Sequence, residues 1–207
     1  VSYDRIMDMF FEACALDWDA YAARWRQIAG VLDAGQHLRL VARDTDLSFE
    51  YEGERWVVCD NGLNVPDGEI FVSPRWESVE GHIAFDFPAT LGGRIIRDLE
   101  LSFEKGLVTD IRASTNLDFV REVLAQDEGA RRCGEFAFGT NPKIDIPTTD
   151  ILWDEKIAGT VHLALGRPYN KAYASAIHWD IVKDARRDAK AFVDGRLIFQ
   201  DGEFLDR

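Results

Sequence analysis

His37-Leu-Arg-Leu-Val41 and Leu47-Ser-Phe-Glu-Tyr51 place an apolar residue at every second position, and this alternation decides the fold. Successive side chains of a strand point to opposite faces, so a period of two marks strands with one face buried. Gly53 then offers a hairpin turn, from which Arg55–Cys59 would return antiparallel. Upstream, residues 3–34 carry apolar side chains at helical spacing: Ile6, Met9, Phe10, Ala13, Leu16 and Trp18, then Tyr21, Trp25, Ile28 and Leu32. The Asp17–Asp19 region marks a break between two helices, with Gly30 and Gly35 as candidate terminators.

Downstream, turn chemistry at Asn61-Gly62, Pro66-Asp67-Gly68, Gly92-Gly93 and Lys105-Gly106 separates further strands. These are Glu69–Ser73, Gly81–Phe87, Ile95–Phe103 and Leu107–Ala113. Asn116 is placed to cap a helix running to about Gln126, with Phe119, Val120, Val123 and Leu124 inward. Gly134–Phe138 reads as a strand and Pro142–Pro147 as a loop. Thr149–Leu165 reads as mostly helical, Ala176–Ile181 as a strand, and Ala191–Phe199 as a terminal hairpin. The expected fold is α+β: a mainly antiparallel or mixed sheet with flanking helices, in a single domain.

The 207 residues are 46% hydrophobic and 29% charged, enough to fill one core, and show no repeat or Ser/Pro linker. With 24 Lys and Arg against 37 Asp and Glu, the net charge of −13 repels phosphate backbones, so nucleic acid is not an expected partner. No apolar run approaches the ~20 residues of a membrane span. Three cysteines without a CxxC argue against a disulfide framework and for the cytoplasm. No signal peptide opens the chain, and Val1 in place of Met is what a processed form or a fragment would show.

Ile177-His178-Trp179-Asp180 is the most informative segment for chemistry. In a strand, His178 and Asp180 project from one face about 7 Å apart along the chain. An imidazole and a carboxylate so placed can chelate a divalent cation, or a structural Asp can simply orient a histidine. His162, among the small and apolar residues of Gly159–Gly166, reads as buried: a core histidine or part of a dry, shaped site. Glu69 and Glu135 are flanked by glycine and aromatic or aliphatic residues. A charge there is either on a solvent face or paired or metal-bound. Glu155, in Trp153-Asp154-Glu155, reads by default as an exposed helical residue, and His37 and His82 suit half-exposed strand positions. Cys133 lacks a His/Asn pairing that would mark a nucleophile, and GxSxG, P-loop, GxGxxG and HExxH patterns are absent.

Five separated blocks resemble the M29 metallo-aminopeptidases of the aminopeptidase T and S type. They are Asn64-Val-Pro-Asp-Gly-Glu69-Ile-Phe-Val-Ser-Pro74; Asp127-Glu-Gly-Ala-Arg-Arg-Cys-Gly-Glu135-Phe-Ala-Phe-Gly-Thr-Asn141; Asp154-Glu155; His162-Leu-Ala-Leu-Gly-Arg-Pro-Tyr169; and Ile177-His178-Trp-Asp180. The resemblance implies a metalloprotease hydrolysing the N-terminal residue from peptides with a free N-terminus. It implies a site of two divalent metal ions (Zn, Co, Mn or Mg) with a bridging water. Carried over by motif, the metal ligands are Glu69, Glu135, Glu155, His162, His178 and Asp180. Glu135 is the bridging carboxylate, and Tyr169 is the catalytic tyrosine. Glu155 departs in spacing: it lies seven residues before His162, where many members have five. The family's members are longer, so residues 1–207 are expected to be the C-terminal metal-site domain of a homodimer, without the family's N-terminal domain. Two alternatives are carried. His162, His178 and Asp180 also compose the triad of a non-haem Fe(II) ring-cleaving dioxygenase of the same superfamily, which would not need Glu69 and Glu135. The domain alone could also be a catalytically inactive metal-binding unit.

Overall fold

The structure, a computed structural model, describes residues 2–205. Helices α1 (Tyr3–Cys14) and α2 (Trp18–Asp33) open the chain. Each begins at a side-chain acceptor that satisfies an N–H the first turn leaves open: Ser2 Oγ accepts from the Arg5 N–H at 3.3 Å, and Asp17 Oδ1 from the Ala20 N–H at 3.1 Å. Asp17 is therefore the break expected between the helices. α2 buries Ala22, Trp25, Ala29 and Leu32 along one face.

The strands follow as β1 (His37–Ala42), β2 (Thr45–Glu50), β3 (Val57–Cys59), β4 (Glu69–Val72) and β5 (Glu80–Ala84). Next come β6 (Ala89–Leu91), β7 (Arg94–Ile96), β8 (Glu100–Glu104) and β9 (Leu107–Arg112). Helix α3 (Leu117–Leu124) precedes β10 (Cys133–Gly139), and α4 (Ile151–Asp154) precedes β11 (Thr160–Gly166) and β12 (His178–Asp184). The chain ends with β13 (Lys190–Val193), β14 (Arg196–Gln200) and β15 (Glu203–Phe204).

These strands form an eight-stranded sheet, β15-β14-β13-β1-β2-β5-β8-β9, a five-stranded sheet, β12-β11-β10-β4-β3, and the small hairpin β6-β7. The sheets are antiparallel, as the alternation requires, and the fold is α+β in one domain. The large sheet turns Leu38, Leu40, Leu47 and Phe49 inward against Phe136, Phe138, Leu163 and Ile181 of the smaller one, so both share one apolar core. The rings of Phe49 and Phe136 meet at 5.0 Å across it.

Three local expectations are corrected. Residues 149–165 are not mostly helical: α4 has only four residues, and β11 begins at Thr160. Every residue of β11 is buried. A strand covered on both faces loses its polar/apolar alternation and cannot be told from a buried helix by period alone. Second, Gly53 does not close a hairpin. The turn there carries the chain out of the large sheet, and β3 pairs with β4 in the small one. Buried Trp56 anchors the crossing, with its backbone N–H donating to Asp33 Oδ1 at 2.9 Å and its ring against Tyr51 and Phe138. Third, Ile95–Phe103 is broken at Asp98, whose φ of 50° divides β7 from β8. Asn116 does sit at the start of α3. Its side chain bonds the Ile95 carbonyl at 2.8 Å, however, and makes no cap to the helix.

Candidate metal centre

The register of the five-stranded sheet collects the chemistry on one face. Gly139 of β10 stands opposite Glu69 of β4, and Ala137 opposite Phe71. Across the other edge of β10, Ala137 faces His162 and Glu135 faces Ala164 of β11. β11 in turn sets Ala164 opposite Asp180 and Gly166 opposite His178 of β12. Because i and i+2 share a face, Glu69, Glu135, His162, His178 and Asp180 all project to one side. Ala137, Gly139, Ala164 and Gly166 leave room between them. The opposite side of the same strands is the apolar core.

Local sequence explains the aim of several of these groups. The β10–β11 pairing slips between Cys133 and Glu135, a bulge that redirects Glu135. A Cβ on Gly134 there would lie 2.5 Å from the Gly166 carbonyl oxygen. Glu69 follows Asp67, whose fully buried carboxylate accepts the N–H groups of Asn61, Leu63, Asn64 and Gly68 and so shapes the loop into β4. Gly68 has φ +127° and lies against Asn141, so it also needs a missing Cβ. Asp154 accepts from the N–H groups of Thr148 and Thr149 at 2.6 and 2.8 Å, which pins α4 and delivers Glu155 inward. Glu155 is thus buried, correcting the expectation of an exposed helical residue.

Glu135 lies between the histidines. Its Oε1 is 3.2 Å from His162 Nε2 and its Oε2 is 3.6 Å from His178 Nε2. Glu69 Oε2 is 3.2 Å from His162 Nε2, and Asp180 Oδ1 is 3.4 Å from His178 Nε2. Four ligand sets close to within 4.8 Å among the described residues: Glu69 with Glu135 and His162; Glu135 with His178 and Asp180; Glu155 with His162 and Asp180; and, at the edge, Glu69 with Cys59 and Asp67. The structure therefore brings Glu155 to the cluster despite its spacing. Tyr169 is at the mouth, its ring 5.4 Å from that of His178 and 4.8 Å from that of Phe71. All seven residues singled out in the sequence meet here. His37 and His82 lie at exposed positions of the other sheet, and Cys133 is buried in the core.

The donor chemistry suits divalent cations. Glu69 Oε2 and Glu135 Oε2 are buried without a hydrogen bond, a costly state for carboxylate oxygens unless a cation takes them. His178 Nδ1 lies 2.8 Å from the Arg167 carbonyl; donating there fixes the tautomer that leaves Nε2 free as a ligand. Cys59 lies beside Glu69, but burial pushes its thiol up and keeps it protonated, so the donors are carboxylates and imidazoles, which fit zinc, cobalt, manganese or magnesium.

The cluster also holds protons and charge against burial. Burial pushes the Glu135 carboxyl up to about 7, and burial with the charge of Glu69 does the same to Glu155. Burial would raise Glu69 too, but the His162 ring 3.2 Å away and the charge of Lys156 hold it below its ordinary value. For Asp180, burial is outweighed by His178 in the same way. Burial alone would lower His178, yet the Asp180 hydrogen bond and charge carry it up to about 9. The Tyr169 phenol is pushed up by burial and then by Glu135 and Asp180, so it stays protonated and a donor.

Lys156 escaped the sequence reading. Its side chain has no exposure, and its ammonium contacts Glu155 and lies 3.8 Å from Glu69 Oε1. A charged pair beside a short helix gives no signal of burial, and only the apolar Ile157-Ala-Gly stretch after it hinted at the interior. An open pocket of about 390 Å³ leads to the cluster, walled by Leu63, Phe71, Leu152 and Tyr169.

The chain matches the family described as thermophilic metalloprotease (M29) over residues 1–204 and belongs to it. It is 37% identical over 191 residues to aminopeptidase T of Thermus thermophilus, across 81% of this chain and 46% of that protein. Among solved structures, AmpT from Thermus thermophilus superposes with a TM-score of 0.82 at 25% identity, covering 96% of this chain and 58% of that one. A 2,5-dihydroxypyridine dioxygenase from Pseudomonas putida KT2440 shares the fold, with a TM-score of 0.77 at 15% identity over 97% of this chain and 63% of that one. The chain thus spans about half the length of the curated relatives it matches. Among the described residues, no helix is long and apolar enough to cross a membrane.

Proposed function

We propose that this chain is the metal-bearing domain of an aminopeptidase that hydrolyses the N-terminal residue from peptides, using two divalent cations. The observation that carries this reading is Glu135. Its two oxygens face two different histidines, at 3.2 and 3.6 Å, and the second accepts no hydrogen bond. A bridging carboxylate between two cations has that disposition. On this reading Glu69, Glu155 and His162 hold one cation, and His178 with Asp180 the other.

When bound, paired cations supply an activated water and polarise the scissile carbonyl. The protein's own groups do the rest. Glu135 and Glu155, whose carboxyls are raised to about 7 without a cation, must release their protons to ligate one, so cation binding should strengthen as pH rises through about 7. Tyr169 directs a protonated phenol at the mouth of the pocket, where it can donate to the developing oxyanion. The buried carboxylates attract the free α-amine of a peptide, which favours cleavage at the N-terminus. A homodimer completed by an N-terminal domain, working in the cytoplasm, belongs to the same proposal.

The dioxygenase reading requires both histidines and Asp180 around one ion. In this chain His162 groups with Glu69 and Glu135 and again with Glu155 and Asp180, while His178 groups with Glu135 and Asp180; among the described residues no set holds both histidines, which supports two positions. The test is hydrolysis of leucine anilides by the purified chain, with EDTA and with added Co²⁺ or Mn²⁺. Cation-dependent release of the anilide is expected. Silence under all metals would reduce the chain to an inactive metal-binding unit, and oxygen-dependent turnover with one Fe(II) would favour the dioxygenase.

A further inference from the structure

The site face of β4 continues one residue past the strand. Ile70 and Val72 point into the apolar core, and Glu69, Phe71 and Ser73 alternate with them toward the cluster. All three are buried, and each meets a different part of the centre. Glu69 Oε2 lies 3.2 Å from His162 Nε2, the Phe71 ring lies 4.8 Å from the Tyr169 ring, and Ser73 Oγ accepts the Tyr169 backbone N–H at 3.1 Å. Tyr169 needs such support. It belongs to residues 167–177, which join β11 to β12 without helix or strand, and it is 58% exposed. A tyrosine so placed samples many positions unless its main chain is held. The loop is tied on either side, by the Arg167 N–H on the Ile177 carbonyl and by the Asn170 side chain on Glu54 Oε1 at 2.9 Å. At Tyr169 itself the tie is Ser73. Pro74 follows and restricts Ser73 to extended backbone, so the hydroxyl is offered from a stiff position.

We infer that Ser73 is a positioning residue: its hydroxyl holds the Tyr169 main chain so that the phenol stands ready beside His178, whose ring is 5.4 Å away. The inference rests on the hydrolase reading and adds to it the part that sets the tyrosine's aim. The phenol is asked to donate to an oxyanion that develops only in the transition state, and such a bond is strongest when its donor is already in place. Ser73 belongs to none of the cation-ligand sets and does not line the pocket, so its loss should act through Tyr169. One strand face thus carries a cation ligand, a platform for the tyrosine ring and a clamp for the tyrosine backbone at successive alternate positions.

The experiment is a double-mutant cycle on the whole Mn²⁺-loaded chain, with leucine p-nitroanilide as substrate. Ser73→Ala should lower kcat by about tenfold or more and leave KM within about twofold, because the bond it serves is made in the transition state. In the Tyr169→Phe background the same change should cost less than about twofold, since the hydroxyl it aims is already gone. Bound Mn²⁺ and the melting temperature of each variant confirm that centre and fold are intact. Amide hydrogen exchange on the metal-free chain gives a readout independent of turnover: the Tyr169 N–H should exchange at least about tenfold faster in Ser73→Ala, with the amides of β4 and β10 unchanged. Equal losses from Ser73→Ala in both backgrounds, a change confined to KM, or an unaltered Tyr169 N–H would overturn the inference while leaving the hydrolase reading standing. Near-normal turnover of Tyr169→Phe would also overturn it, by leaving no donor to aim. No hydrolysis by the unmodified chain would overturn the hydrolase reading itself, and the inference with it.

Discussion

On one side of the five-stranded sheet β10 presents Phe136 and Phe138; on the other it presents Glu135 and Ala137. Both sides are buried to the same degree. The first is closed by aromatic and aliphatic contacts with the large sheet, and its contribution is burial of apolar area. The second gathers four carboxylates and two imidazoles that no hydrogen-bond network fully satisfies. One set of strands thus serves as a stabilising wall and as a destabilised site, and the rigidity of the first holds the second in place. Substitutions one residue apart should therefore fail in different ways.

The largest effect is expected at Glu135. Glu135→Ala removes the group between both histidines, so hydrolysis should fall by more than about a thousandfold and bound metal should drop to one ion or none. The fold should survive, because a costly buried carboxylate has gone. Loss of folding with metal stoichiometry intact would break the comparison. The neighbouring Phe136→Ala should do the reverse. Opening a cavity under Phe49 and Trp56 should cost about 3–5 kcal/mol in a denaturant titration, while the folded fraction keeps its metal content. A smaller effect is expected at Tyr169. Tyr169→Phe keeps the ring against Phe71 and His178 and deletes only the donor, so kcat should fall about a hundredfold with both cations retained. Near-normal turnover would leave Tyr169 as a packing residue.

The smallest effect is on stability against pH. Glu135 and Glu155 titrate up to about 7 and His178 up to about 9 in the folded chain. All three are raised, so the folded state binds their protons more tightly than the unfolded one. That contribution is complete below the unfolded values, about 4.3 for Glu and 6.5 for His, and is lost as pH rises through 7 and 9. Metal-free protein should melt a few degrees lower at pH 9 than at pH 5, and saturating Mn²⁺ should flatten that slope by standing in for the protons. An identical slope with and without the cation would separate these groups from any metal.

Much of the comparison was legible in the sequence. His178 and Asp180 were visible as a pair because a strand puts i and i+2 on one face. Glu69 and Glu135 stood out because charge beside glycine and hydrophobic neighbours is rarely casual. The α2 face and the β1–β2 alternation followed from periods that one buried side imposes. What could not be read was burial on both sides. β11 is a nearly continuous apolar run, so its strand character vanished into a helix reading, and with it the register that sets His162 diagonal to Glu135. The bulge at Gly134 and the inward turn of Glu155 and Lys156 depend on tertiary contacts with no local sequence signal.

The central claim is that the polar side of this sheet holds two cations with Glu135 between them. Anomalous diffraction from crystals of the chain equilibrated with excess Mn²⁺ tests it most directly. The account predicts two peaks flanking the Glu135 carboxylate, one beside His162 and one beside His178. A single peak enclosed by both histidines, or no peak at Glu135, would contradict it.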